Sequence, residues 1–118
     1  MILHHVQLAI PPGSEDECRR FYCAILGWKE LPKPYVLATR GGLWLSAGDV
    51  ELHLGVEEDF RPARKAHPAF LVTELGDIAA KLENQKFEVD WDENIAAFKR
   101  FFVFDAVGNR LEFMQSAE

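Results

Sequence analysis

Apolar and polar residues alternate at the start of the chain, which is the pattern of a half-buried β-strand. Over residues 3–10, Val6, Leu8 and Ile10 point to one side of the strand, while His5 and Gln7 point to the other. Two consecutive prolines and a glycine follow, and proline cannot donate a backbone hydrogen bond to a sheet. The sequence therefore predicts a first strand that ends at these prolines and carries a histidine on its polar face.

A helical period replaces the alternation after the prolines. Ser14 and Glu17 have the spacing of a capping box at the beginning of a helix. The apolar residues that follow recur every three or four positions and form one stripe: Cys18, Phe21, Tyr22, Ile25 and Leu26. Gly27 is predicted to end this helix, because glycine readily adopts the left-handed conformation that closes helices.

The rest of the chain consists of short extended runs and one further helix. Proline and glycine divide the next part into three predicted strands, near residues 28–31, 35–46 and 49–55, and the glycines of the middle strand could break it. A charged, aperiodic connector covers residues 56–66. The second half then predicts a strand at 67–73, a helix at 75–84 and strands near 87–91, 99–105 and 110–115. Each half thus has the order β, α, β, β, β.

Matching stretches in the two halves indicate an internal repeat. HHVQLAI in the first strand matches AHPAFLV after the connector, and their histidines, His5 and His67, are 62 positions apart. VELH and LEFM match in the same way, each after a Gly-Asp or Gly-Asn turn, and their glutamates, Glu51 and Glu112, are 61 positions apart. A fixed period of this length is typical of tandem copies of one supersecondary unit.

We therefore predict an α+β fold built from two tandem βαβββ modules. Residues 1–118 are expected to form a single domain, with pseudo-repeats at about 1–57 and 66–118 joined by the charged connector. A chain of 118 residues is long enough for one proper core. Alternation within the strands also predicts that Glu51, His53 and Glu112 face away from the helices.

Composition and charge exclude several classes of function. The chain is 48% apolar and 27% charged, which is typical of a globular protein, and no apolar run approaches the roughly 20 residues of a membrane span. A net charge of −6 argues against a nucleic-acid partner. The N-terminal stretch lacks the basic region and cleavage site of a signal peptide. A cytoplasmic location is the resulting expectation.

The polar face of the predicted strands carries a candidate metal site. Imidazole and carboxylate are ligands for divalent zinc, manganese, iron, cobalt and nickel, and two histidines with one carboxylate leave coordination positions open for substrate. We therefore predict a site formed by His5, His67 and Glu112, with Glu51 or His53 as the fourth ligand. A single strand histidine is more often a structural residue, but the matched positions in the two halves favour ligands.

Candidate substrate contacts lie near the same face. Gln7 follows His5 on the polar side of the first strand, and alternation separates Phe102 from Phe101, so that Phe102 can line a pocket. Arg64 belongs to a basic cluster with Arg61 and Lys65 that leads into His67 and could attract a carboxylate or phosphonate. The alternatives are that these cations are solvated connector charges and that the aromatic residues belong to the core.

Together, the two βαβββ units, the stretches HHVQLAI and AHPAFLV and the closing GNRLEF resemble the vicinal oxygen chelate superfamily, which includes glyoxalases, bleomycin-resistance proteins and extradiol dioxygenases. The resemblance covers the whole chain and implies a curled mixed sheet around a cleft, with helices on the outer face, in a homodimer. It also implies a divalent metal held by His5, His67 and Glu112. Members similar to glyoxalase carry a glutamate followed by leucine on the fourth strand, which favours Glu51 over His53 as the fourth ligand.

The resemblance implies a metal-dependent enzyme for a small oxygenated molecule, of the isomerase, lyase, thiol-transferase or dioxygenase type. Glu51 and Glu112 are the candidate catalytic residues for proton transfer, and His53 is the alternative base, a substrate contact or a residue that supports the metal ligands. The implied metal is zinc, nickel, iron, manganese or cobalt. Two other functions remain open: a non-catalytic protein that sequesters a drug or metabolite, as bleomycin-resistance proteins do, and a structural dimer with a vestigial site.

Overall fold

The computed structural model describes all 118 residues and contains two β-α-β-β-β halves. The first half contains β1 (His5–Ile10), α1 (Glu15–Arg19), β2 (Lys29–Leu31), β3 (Leu43–Ser46) and β4 (Glu51–Val56). The second half contains β5 (Ala69–Leu71), α2 (Leu75–Asn84), β6 (Asp90–Asp92), β7 (Phe98–Phe104) and β8 (Arg110–Ser116). The predicted α+β class and order of elements are confirmed.

Each half forms its own four-stranded mixed sheet with the same topology. The strand orders are β1-β4-β3-β2 and β5-β8-β7-β6. The first and last strands of each half run parallel, and the other neighbours run antiparallel. The predicted mixed sheet therefore consists of two four-stranded sheets, and β1 and β5 are edge strands.

Alternation sorts the strands into a core face and a polar face. A cluster of 17 buried apolar residues contains Leu8 and Leu52 from the first sheet and Phe101 and Phe113 from the second, so the halves share one core. His5, Glu51 and Glu112 occupy the opposite faces, as predicted. No helix is long and apolar enough to cross a membrane.

The first helix differs from its prediction in two ways. Only Glu15–Arg19 is α-helical, and Arg20–Ile25 continues as a wider π-helix. Phe21 and Tyr22 are adjacent and both fully buried, and the wider turn accommodates both rings on the core side. The predicted capping box is wrong, because the Ser14 hydroxyl donates instead to the Pro11 carbonyl at 2.7 Å.

The predicted strand at 35–46 is wrong in its first part. Residues Tyr35–Arg40 form a 3-10 helix, and β3 begins only at Leu43. Gly41 and Gly42 connect the two with φ of 73° and 83°, which favours glycine. A Cβ atom on Gly42 would lie 2.1 Å from the Leu54 carbonyl oxygen. The glycine pair thus lets the 3-10 helix lie beside β4.

Two strands of the second half are shorter than predicted. β5 begins at Ala69, so His67 precedes the strand, although the Pro68 carbonyl still accepts a hydrogen bond from the Glu112 amide. β6 covers Asp90–Asp92 because the residues after α2 first close the helix, with the Phe87 amide bonded to the Leu82 carbonyl. Neither change moves a polar-face residue to the core side.

A buried polar turn before β8 joins the halves. Asp105 accepts hydrogen bonds from the Tyr22 hydroxyl and from the backbone amides of Val107 and Asn109. The side chain of Asn109 donates to the Ala9 carbonyl at 2.8 Å and accepts from the Ala63 amide at 2.9 Å. These hydrogen bonds therefore connect the second half to both the first strand and the connector.

Candidate functional site

The first group of polar-face residues, here called the first half-site, consists of His5, Glu51 and His53. His5 and Glu51 are direct partners in the parallel register of β1 and β4. His53 is 5% exposed, and its Nε2 atom lies 2.9 Å from Glu51 Oε1. The pairing of β1 with β4 thus brings a histidine and a glutamate together, and a second histidine fixes the carboxylate.

Three stacked rings support this half-site. The His5 and His53 rings are 4.1 Å apart and nearly parallel at 11°, and the Trp44 ring lies 4.3 Å from the other face of His53 at 9°. Trp44 and His53 are paired in the register of β3 and β4. Because both of its faces are covered, His53 has little freedom to turn away from Glu51.

The Glu51 carboxylate is held in its ionised form. The hydrogen bond from His53 is the main cause that lowers the pKa of Glu51, and charge on the neighbouring histidines adds to it. His4 lies on the outside, with Nε2 3.8 Å from Glu51 Oε2 and Nδ1 2.9 Å from His5 Nδ1. An ionised carboxylate beside imidazole nitrogens is a donor set that suits a divalent transition metal.

The second half-site consists of His67 and Glu112. Glu112 is 5% exposed, lies opposite Phe102 in the register of β7 and β8, and has its Oε1 atom 3.0 Å from His67 Nε2. Its other carboxylate oxygen accepts a hydrogen bond from Arg100 at 3.1 Å, and Arg100 also donates to Asp92. The buried carboxylate is therefore neutralised by a cation and held in a single orientation.

The hydrogen bonds of His67 define its tautomer. Nδ1 lies 2.8 Å from the Lys65 carbonyl oxygen, which can only accept, so Nδ1 carries the hydrogen. In the neutral ring, Nε2 then has a lone pair, and that lone pair faces the carboxylate of Glu112. Two acceptors at this distance require a proton or another cation between them. A backbone carbonyl on the far nitrogen is also the usual support of a metal-bound histidine.

Aromatic and basic side chains border the second half-site. Phe102 lies edge-on to the His67 ring, with centroids 5.4 Å apart, and the Arg110 guanidinium lies 4.0 Å above the Phe102 ring. Arg110 shares the polar face of β8 with Glu112 and makes no ion pair. Arg64 is exposed and makes no side-chain hydrogen bond. Its role in attracting substrate stays a prediction.

A cavity of about 480 Å³ opens beside the first half-site. Its floor is the polar face of β1, β3 and β4, with Gln7 next to the histidines, and its wall comes from the 3-10 helix. The side chains and backbone that line it are those of His4, His5, Gln7, Lys33, Leu37, Arg40, Gly41, Trp44, His53, Leu54, Gly55 and Val56. None of them is acidic.

The two half-sites do not merge within one chain. No group of three or more His, Cys, Asp or Glu side chains is arranged to hold a metal ion. The predicted ligands come together only as the pairs His5 with Glu51 and His67 with Glu112. An apolar groove of about 590 Å³, lined by residues such as Leu3 and Leu71, runs between β1 and β5.

The sequence prediction missed the residues that support the site. Arg100 is two positions from Phe102, so the alternation that assigned Phe102 to the polar face also assigns Arg100. Trp44 could have been assigned in the same way from its neighbours Leu43 and Leu45, which are buried. Lys33 and Arg40 had no such signal, because Lys33 lies between two predicted strands and the segment of Arg40 was predicted to be a strand.

The fold is shared with several solved structures. A glyoxalase family protein from Bacillus anthracis has 44% sequence identity, covers 98% of this chain and 95% of its own, and has a TM-score of 0.95. A glyoxalase/dioxygenase from Nostoc punctiforme has 19% identity, coverage of 99% and 92%, and a TM-score of 0.78. The antibiotic binding protein TnmS3 from Streptomyces sp. CB03234 has 20% identity, 98% coverage of both chains and a TM-score of 0.74.

Two further comparisons, with protein-family models and with curated proteins, found no match. The two structures with 19% and 20% identity indicate the fold alone. The similarity to the Bacillus protein extends over nearly the full length of both chains at an identity well above that level. The chain therefore belongs to the glyoxalase family within the vicinal oxygen chelate superfamily.

Proposed function

We propose that this protein is a divalent-metal-dependent enzyme of the glyoxalase type that acts on a small oxygenated molecule. The observation that carries the proposal is the pair formed by His67 and Glu112. The Lys65 carbonyl accepts from Nδ1 of His67, so that Nε2 is directed at the Glu112 carboxylate, 3.0 Å away. An imidazole nitrogen and a carboxylate oxygen held together in this way are a donor pair that suits a divalent metal.

The chemistry of the donor set fits such a metal. His5 and Glu51 would supply two ligands, and His67 and Glu112 the other two, which gives two nitrogen and two oxygen donors. When bound, the metal would act as a Lewis acid that polarises the oxygens of the substrate. The candidate ions are zinc, nickel, iron, manganese and cobalt.

We further propose that the four ligands meet across a homodimer. Each chain contributes two half-sites that remain apart within it. β1 and β5, next to those half-sites, are edge strands with unpaired backbone groups, and Ile2, Leu3 and Leu71 beside them are 62–92% exposed. Open strand edges and exposed apolar residues favour association with a second chain. In a twofold dimer, the first half-site of one chain can meet the second of its partner.

Glu51 and Glu112 differ in how free they are to move a proton. Arg100 holds one oxygen of Glu112, whereas the nearest groups to Glu51 are histidines. Glu51 is also the more exposed carboxylate, with a side chain 30% exposed against 6% for Glu112. We therefore assign Glu51 as the general base toward a substrate carbon or hydroxyl, and Glu112 mainly as a ligand.

A second function, sequestration of a drug or metabolite without catalysis, is supported by the likeness to TnmS3, an antibiotic binding protein. Such a protein needs the cavity beside His5 but not the metal ligands. Metal content therefore separates the two functions. The enzyme proposal predicts bound metal that depends on His67 and Glu112, and the sequestration proposal predicts ligand binding that does not.

The first experiment is elemental analysis of the protein purified without added metal or chelator, together with His67→Ala and Glu112→Gln. The Arg64→Gln variant is the control, because the Arg64 side chain is exposed and makes no hydrogen bond to a proposed metal ligand. Bound metal in the protein and the control, lost in both ligand variants, supports the proposal. Absence of metal even after reconstitution with the five candidate ions would refute it.

Mixing variants tests the dimer. One chain carries His5→Ala with Glu51→Gln, and the other carries His67→Ala with Glu112→Gln. If the sites form across a twofold dimer, random mixing leaves one intact site in each mixed dimer, which is about a quarter of the wild-type metal. If each site forms within one chain, no site is intact in the mixture and no metal is recovered.

A further inference from the structure

The cavity beside the first half-site has a charge that is opposite to that of the protein. The chain has 19 acidic and 13 basic residues, yet none of the 12 residues that line this cavity is acidic. Lys33 and Arg40 line its wall, and His4, His5 and His53 lie at its floor. A local surplus of cations in an acidic protein raises the local concentration of anions.

Neither cation is neutralised by an acid of the protein. The Lys33 ammonium group donates a hydrogen bond to the Gly41 carbonyl, and Arg40 makes no side-chain hydrogen bond or ion pair. Other arginines behave differently: Arg19 pairs with Asp16 and Glu30, and Arg100 pairs with Asp92 and Glu112. The cavity therefore keeps the charge of Lys33 and Arg40 available for a ligand.

A neutral hydrogen-bond donor also lines the cavity. Gln7 presents its amide group on the floor, next to the His53 register position. Gly55 makes room for that amide, since a Cβ atom there would lie 3.1 Å from the Gln7 side chain. Ammonium, guanidinium and amide groups together match the geometry of an oxyanion such as a carboxylate, phosphonate or phosphate.

We propose that this cavity binds the anionic group of the substrate through Lys33 and Arg40. The inference rests on the proposed function and adds a substrate class to it, namely a small acid whose other oxygens reach His5 and Glu51. A volume of about 480 Å³ is within the range of small-molecule sites. The 3-10 helix, for which the sequence predicted a strand, is the element that supplies Arg40.

The test is titration of the protein with inorganic phosphate, with acetate and with the neutral analogue acetamide, followed by nuclear magnetic resonance. The indole N–H signal of Trp44, identified by its loss in Trp44→Phe, reports on the cavity because Trp44 lines it. We expect saturable shifts with one or both anions and none with acetamide. The stronger anion identifies the group as a phosphate type or a carboxylate.

Charge-removing variants then assign the site. Arg40→Gln and Lys33→Gln are expected to raise the dissociation constant at least about tenfold, since each removes a charge-assisted contact. Arg20→Gln, which removes an exposed arginine that bonds only to Gln85 outside the cavity, is expected to leave it unchanged. Wild-type binding by Arg40→Gln, or equal weakening by Arg20→Gln, would overturn the inference. If Lys33→Gln does not fold, Arg40→Gln decides, because the Arg40 side chain has no internal bond.

The same titration on metal-free and metal-reconstituted protein separates this inference from the proposed function. Anion binding without any metal binding supports the anion site and refutes the enzyme proposal. Metal binding without anion binding supports the enzyme proposal and overturns the anion site. Neither outcome can be mistaken for the other, because metal content and the Trp44 signal are measured independently.

Discussion

His53 Nε2 lies 2.9 Å from Glu51 Oε1, so a histidine of the same strand holds the carboxylate that we propose as a metal ligand. Hydrogen-bonded partners of this kind orient ligands, and their loss commonly weakens metal binding by roughly 10–100-fold. This relationship separates two roles that the sequence left open for His53, as a ligand or as a supporting residue.

We predict that His53→Ala weakens metal binding by about 10–100-fold, whereas Glu51→Gln causes a larger loss. The measurement is competition with a chromophoric chelator. Arg20→Gln is the control, because Arg20 is exposed and bonds only to Gln85, away from the proposed ligands. If His53→Ala abolishes binding while Glu51→Gln retains it, His53 is the fourth ligand and the assignment of Glu51 is wrong.

The buried hydroxyl of Tyr22 is expected to be important for stability. In Tyr22→Phe the Asp105 carboxylate loses a buried hydrogen-bond donor, which costs about 1–3 kcal/mol of unfolding free energy. Urea denaturation measures this change. Tyr35→Phe removes the same atom from a residue that is 93% exposed and should change stability by less than about 0.5 kcal/mol. Equal effects of the two substitutions would contradict the role of the buried pair.

Gly42 is expected to tolerate no side chain. Gly42→Ala combines a positive φ of 83° with a Cβ atom 2.1 Å from the Leu54 carbonyl oxygen, and we expect a loss of at least about 2 kcal/mol. Gly48→Ala is the matched control, with φ of 85° and nothing within 4 Å of the new atom. Gly48→Ala should lower the unfolding free energy by about 1 kcal/mol, which is the cost of the positive φ without a steric clash. Similar losses measured by urea denaturation would refute the close approach.

The hydrogen bond between Glu15 and the loop around Gly42 should make a contribution to stability that depends on pH. Its carboxylate accepts a hydrogen bond from the Gly42 amide at 3.0 Å, and this bond is the main cause that lowers the pKa of Glu15 below 4.5. A carboxyl group with a lowered pKa in the folded state stabilises the protein above its unfolded pKa, and this contribution is lost as the pH falls through the folded pKa.

Glu15→Gln should therefore be less stable than the wild type at pH 7, and the difference should shrink below pH 4.5, where the wild-type carboxylate takes up a proton. Urea denaturation across this pH range tests the prediction. Glu17→Gln removes an equivalent charge from the same helical turn but no bond to the loop. A difference between wild type and Glu15→Gln that stays constant with pH would contradict the role of the bond.

Alternation and the internal repeat were sufficient to predict most of the fold. They assigned His5, Glu51 and Glu112 to the polar face because one strand residue in two always points there. They failed between residues 35 and 40, where Val36 and Leu37 read as a strand, although Val36 is 79% exposed. The cause is the contact of Gly42 with β4, which is a tertiary contact and leaves no local pattern.

The site was predicted as a set of residue types but not as a geometry. Matched spacing predicted His67 and Glu112 as candidate ligands, but it could not show that the candidate ligands pair within each half rather than across the halves of one chain. Nor could it identify Lys33 and Arg40, whose closeness to His5 depends on the path of the 3-10 helix. Long-range contacts of this kind are set by packing, which a single sequence encodes only indirectly.

The bonds of Asn109 to Ala9 and Ala63 also break the symmetry of the repeat. The matching residue of the first half, Asp49, is exposed and has no such bonds, so this turn joins the halves in only one of the two copies. The two copies are therefore no longer interchangeable. Two fragments cut within the connector should therefore reassemble with each other, but neither fragment should assemble with itself in the same way.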